Sequence, residues 1–140
     1  MSMELFVIVA LDQVTNTESF NNKAKEHSVP IVFEENINLM KHTGFLPSTT
    51  KSQKSGVEVY SIKYTDIESM LPPNEELKIT NPTVITFRWG GDFFEGATAM
   101  YAAAVLIANN NGLAFEPISN MYLDNTQLIE GAEAMLSYSQ

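Results

Sequence analysis

The sequence contains no cysteine, and that single absence removes a disulfide framework, a cysteine zinc site and a thiol nucleophile together. Histidine is nearly as scarce, with only His27 and His42 in 140 residues, so a Ser-His-Asp arrangement or a histidine metal centre has little to be built from. Bases are missing from the C-terminal third: no Lys or Arg follows Arg88, whereas Asp92, Glu95, Glu116, Asp124, Glu130 and Glu133 do. Five of the eight bases precede residue 55, and the net charge is -9. A surface of that sign repels phosphate backbones and anionic lipid, because affinity for either comes from Lys and Arg displacing counterions. Nucleic acid and membranes are therefore not expected as direct partners. The same field draws in a basic protein and speeds its encounter by about 10- to 1000-fold at low salt. Apolar runs are short as well. Leu5 to Leu11 spans seven residues after Glu4, where a signal peptide would carry a base, so it reads as a strand and cytoplasmic residence is expected. No segment approaches the roughly 20 apolar residues needed to cross a bilayer.

What is present is enough for a core. With 44% apolar residues, one domain covering 1-140 is expected, able to bury roughly two thirds of its unfolded surface. The Leu5 to Leu11 run lacks polar alternation and so predicts a central strand covered on both faces. Val29 to Phe33 and Val57 to Tyr64 read as further strands, the second placing Tyr60, Ile62 and Tyr64 on one face. Thr43 to Gly56 reads as an exposed loop or an edge hairpin. Val84 to Trp89 alternates, with Ile85, Phe87 and Trp89 opposite Thr86 and Arg88. Capping patterns at Thr15 to Glu18, Thr65 to Glu68, Asp92 to Glu95 and Asp124 to Gln127 predict four helix starts. The third opens an Ala-rich helix to Ala108 that lies close against the sheet and ends in Asn and Gly, which tolerate the left-handed conformation. Leu113 to Phe115 and Met121 to Leu123 complete the strands. The expected fold is α/β (α+β): a mixed central sheet of five or six strands packed by about four helices.

Chemistry-bearing constellations are thin. His27 falls at a helix C-terminus, where an imidazole meets the dipole or water. His42 lies in a polar stretch, and neither histidine has metal-ligand spacing with Glu34 or Glu35. Glu34-Glu35 and Glu75-Glu76 are adjacent pairs, which point apart in extended chain. Gly90-Gly91 before a helix suggests a phosphate cradle, but Asp92 and Glu95 already fill that position with negative charge and no Walker Lys follows. The helix is self-capped instead.

Three stretches, Gly44-Phe45-Leu46-Pro47, Ser55-Gly56-Val57-Glu58-Val59-Tyr60, and the Ala97 to Ala108 helix running into Asn111-Gly112-Leu113-Ala114-Phe115-Glu116-Pro117, resemble bacterial immunity proteins of the contact-dependent growth inhibition and polymorphic toxin systems. The resemblance covers roughly half the chain and rests on fold-building residues; Asn111-Gly112 and Glu116-Pro117 stand where similar sequences often have Gly-Gly and Asp-Pro. It implies a non-catalytic inhibitor with no cofactor and no metal, which occupies the basic surface of a cognate toxin domain such as a nuclease. Such a surface needs aromatic anchors and a charged rim, and Tyr60, Tyr64, Trp89, Asp92, Phe93 and Glu95 are the candidate contacts, as aromatics beside acids near element ends. A toxin strand added to a sheet edge, supplied by the Phe45 to Tyr64 region, is a second mode. The rivals are a small hydrolase or transferase working through His42 with Glu34 or Glu58, and a structural or adapter subunit of a homo-oligomer.

Overall fold

A computed structural model describes every residue except Met1, Thr15, Glu75 to Leu77, Asn111 and Gln140. Ten elements follow one another: β1 (Met3–Ala10), α1 (Thr17–Glu26), β2 (Ile31–Phe33), β3 (Gly44–Thr50), β4 (Gln53–Lys63), β5 (Pro82–Trp89), α2 (Phe93–Ile107), β6 (Gly112–Glu116), β7 (Met121–Leu123) and α3 (Asn125–Tyr138). The strands form one seven-stranded sheet in the order β2-β3-β4-β5-β1-β6-β7, and every pairing is antiparallel. The expected mixed sheet of five or six strands with about four helices is thus corrected to seven antiparallel strands with three α-helices. The count differs for a local reason. Residues 43 to 56, read as an exposed loop or an edge hairpin, belong to a hairpin whose first strand, β3, the expected count left out; its two-residue turn, Lys51-Ser52, holds φ of 49° and 65° without a glycine to announce it. The Thr65 to Glu68 pattern opens only 3₁₀ turns, Tyr64–Asp66 and Glu68–Met70, before Pro72-Pro73.

β1 lies inside the sheet, between β5 and β6, and is buried on both sides, as its unbroken apolar run requires. One face carries Leu5, Val7, Val9, Val57, Val59, Ile85 and Phe87 against the helices. α2 lies directly on that face and is buried from Gly96 to Ile107, which explains its lack of a polar side. α3 packs along it through Leu128 and Ala132, and α1 packs beside it through Phe20 and Ala24. The free carbonyls at the α2 C-terminus are met from outside: Asn125 Nδ2 donates to Ala104 O at 2.8 Å and Lys23 Nζ to Leu106 O at 3.3 Å. α1 is capped by Asn16, whose side chain accepts from the Ser19 N–H; the expected Thr15 cap lies outside the described residues. Asp92 and Asp124 cap α2 and α3 where the sequence placed them.

The opposite face is divided. The described residues between β4 and β5 lie over half of it, where Ile67, Leu71 and Ile79 bury Phe6, Ile8, Val84 and Phe115 in a second cluster. The other half, over β2, β3 and β4 and the near ends of β5 and β1, carries no covering element among the described residues, and Val32 and Phe45 stand exposed on it.

The sheet ends at β2, not at the β3–β4 hairpin expected to offer an edge. β2 is also closed to strand addition, because Asn21 of α1 uses its whole amide on it: Nδ2 donates to Phe33 O at 2.9 Å and Oδ1 accepts from the Phe33 N–H at 2.8 Å. Asn21→Ala leaves both backbone groups without their partner and should cost about 2 kcal/mol, read as a lower midpoint in thermal denaturation. Sedimentation of the variant should show concentration-dependent self-association through the uncovered edge; a monomer of unchanged stability would contradict this role for Asn21.

Candidate functional site

Side chains alternate along each strand, so register decides what the open half presents. Glu4 of β1, Arg88 of β5 and Glu58 and Phe45 of β4 and β3 lie in one row across four strands. Tyr60 and Thr86 form the next row. Arg88 sends Nε–H and Nη2–H to the same oxygen, Glu4 Oε1, at 3.0 and 2.6 Å, and its guanidinium sits 5.6 Å from the centre of the Tyr60 ring. The Tyr60 hydroxyl donates to Glu58 Oε1 at 2.6 Å, and that bond to the carboxylate is the main reason the phenol is held above its ordinary pKa. Phe45 and Val32 are each 52% exposed on this face, so its apolar surface is large for an element facing water. The Phe45 ring is carried on Gly56 of the neighbouring strand, where a Cβ would stand only 2.2 Å from Cζ.

The row continues round the sheet margin to the start of α2. Asp92 Oδ1 accepts from the Phe94 and Glu95 N–H groups at 2.8 and 3.2 Å. Partial burial, and after it the charges of Asp92 and Glu58, hold Glu95 above the usual carboxylate range. Two carboxylates thus act on the third, Glu95, at this corner. Phe93 is 50% exposed there and packs on Tyr138 with ring centroids 5.6 Å apart.

Of the six contacts read from the sequence, Tyr60 lies on the open face and Asp92, Phe93 and Glu95 at the start of α2, with Glu58 accepting from the Tyr60 hydroxyl and acting by its charge on Glu95. Sequence pattern offers Glu58 only as a partner for His42; its place opposite Arg88 in the β4–β5 register is what puts it here. Trp89 is corrected: it is 4% exposed, because it alternates with Arg88 and so faces the helices, against Gly96 of α2, where a Cβ would come within 2.8 Å of Nε1. Tyr64 lies beyond the end of β4, in a 3₁₀ turn packed on the second cluster, and does not join the others.

The histidines go elsewhere. His42 Nε2 stands 3.1 Å from both Gly44 O and Phe45 O, so this nitrogen carries a proton and donates rather than acting as a base. His27 caps α1 and meets Asn109 Nδ2 at 3.4 Å. Neither histidine hydrogen-bonds Glu34 or Glu58 among the described residues, and no group of three or more His, Asp or Glu among them is placed to hold a metal ion. The Glu75-Glu76 pair lies outside the described residues. Among the described residues no helix is long and apolar enough to cross a membrane. Comparison of the chain with protein-family models, with curated proteins and with solved structures finds no match.

Proposed function

We propose that this chain is a cytoplasmic immunity-type inhibitor that binds a basic bacterial toxin domain, a nuclease by preference, and neutralises it by stoichiometric occlusion. The observation that carries the reading is the open half of the sheet. It offers exposed Phe45 and the Tyr60 ring as anchors, rimmed by Glu58, Asp92 and Glu95, on a rigid support that needs no rearrangement to be presented. The net charge of -9 supplies the complementary field for a target that must itself attract a phosphate backbone. Such an inhibitor does its work without a catalytic group.

The proposal predicts a toxin domain encoded beside this chain's gene, and titration of that domain's nuclease activity with the chain tests it. Activity should fall linearly with added protein and vanish at one equivalent. Inhibition by far less than one equivalent would mean turnover, and undiminished nuclease activity at excess would remove the proposal, as would a gene neighbourhood of metabolic enzymes with no toxin.

A further inference from the structure

At the seam between the covered and open halves of the sheet lies a cleft of about 490 Å³, lined by Glu4, Thr43, Tyr60, Asp66, Thr86 and Arg88 over an apolar floor. It holds the one buried side-chain polar atom without a hydrogen-bond partner among the described residues, Thr86 Oγ1, in a residue that is 4% exposed. The other buried hydroxyls are satisfied. Thr17 accepts from the Ile37 N–H, Thr83 donates to Ile62 O, and Ser48, Thr50 and Thr98 form a chain under α2 that ends on Phe94 O. An orphaned hydroxyl in an otherwise satisfied fold points to a group supplied from outside.

Counting donors and acceptors identifies that group. The Tyr60 proton is committed to Glu58, so its oxygen can only accept within the cleft. Arg88 uses Glu4 Oε1 alone, and Asp66 spends one oxygen, Oδ2, on the Lys63 N–H. The second oxygens of both carboxylates are therefore available as acceptors. Two carboxylates against one guanidinium leave the cleft negative. Acceptors in surplus, excess negative charge and an aromatic wall suit a donor-rich cation. We propose that the cleft seats one arginine or lysine side chain of the bound partner, paired with Glu4 and Asp66, with the Tyr60 and Thr86 oxygens as further acceptors. The Arg88 side chain is 43% exposed and moves aside as the cation enters, uncovering Thr86. As a statement about the partner this rests on the occlusion reading; as a statement about the cleft it is tested without one.

The test is a titration of the whole chain with N-acetyl-arginine amide, followed by amide chemical shifts, against N-acetyl-citrulline amide, which has the same shape and no charge. Saturable shifts confined to the strands around Glu4, Tyr60, Thr86 and Arg88, in the millimolar range for arginine and absent for citrulline, are expected. Thr86→Val should raise the melting temperature, by removing the orphaned hydroxyl, and weaken arginine binding several-fold; Asp66→Asn, on the exposed rim, should weaken it similarly. Equal responses to arginine and citrulline, shifts spread over the acidic face of α3, or unchanged affinity in both variants would overturn the assignment. A missing response to the probe leaves occlusion through Glu58 and Glu95 standing, and a failure to inhibit the nuclease leaves a positive probe result standing.

Discussion

Glu58→Lys combined with Glu95→Lys is expected to weaken capture of the basic nuclease domain by roughly 100-fold at low salt, with most of the loss in the association rate and a shrinking difference as ionic strength rises. Reversal at Glu95 relieves its repulsion from Asp92, whereas reversal at Glu58 removes the acceptor of the Tyr60 hydroxyl and sets a cation opposite Arg88, so affinity is compared on variants whose melting temperature is measured alongside. Asp92 is the wrong residue for this experiment, since its carboxylate caps α2 and its loss costs about 1 kcal/mol of stability. Stopped-flow association at several salt concentrations checks the effect; rates equal to wild type would place the contact surface elsewhere. A pH dependence accompanies it. Glu95 holds its proton more tightly in the free protein than an ordinary glutamate, and an arriving cation lowers that affinity, so binding releases a proton. Affinity should therefore rise with pH through the window above the ordinary carboxylate pKa and level off once free Glu95 is ionised. Folding has the opposite sign. The folded chain binds this proton better than the unfolded one, so the Glu95 contribution to stability grows as pH falls through the same window.

Gly112→Ala is expected to lower the melting temperature by roughly 7–10 °C, from about 2–3 kcal/mol of overpacking. A Cβ at Gly112 would stand 2.4 Å from Ile8 O and 2.6 Å from Val9 Cγ1. The nearer atom is backbone in β1, so relief requires separating β6 from β1 at Val9↔Gly112, and with it the floor beneath the second cluster. The alanine at the neighbouring Ala114, already accommodated on the helix-facing side, shows that side-chain bulk alone is not the obstacle. Differential scanning calorimetry decides it; a change under 2 °C would mean that the two strands are free to part there.

Much of the scaffold was legible in the residues. An unbroken apolar run put β1 inside the sheet, strict alternation put Phe87 and Arg88 on opposite faces, and the aspartates before α2 and α3 capped them as their spacing implied. The hairpin was legible only as one of two alternatives, because Lys51 and Ser52 adopt positive φ without the Asn-Gly chemistry that normally marks such a turn. The candidate surface was legible only in part. Alternation by itself predicts Tyr60 and Arg88 outward and Trp89 inward, but chain position next to Gly90-Gly91 suggests exposure for Trp89, and it is the first turn of α2, folded back through Gly96 onto the indole, that covers it. Glu58 meets Arg88, and Glu4 meets it from the other side, only through strand register, which no local pattern encodes. The closed β2 edge depends on Asn21, an unremarkable polar residue on a polar helix until the fold sets it beside Phe33.

The burial of α2 on every side bears on how the chain is made. Fifteen residues with so little polar surface would clump with other apolar segments if they waited in water after leaving the ribosome. Their seat is already synthesised by then: β1, β4 and β5 all precede α2, and β5 ends only a few residues before it begins. Vectorial synthesis thus lets the helix dock on emergence, leaving its outer side to be closed by α3 as the final helix arrives.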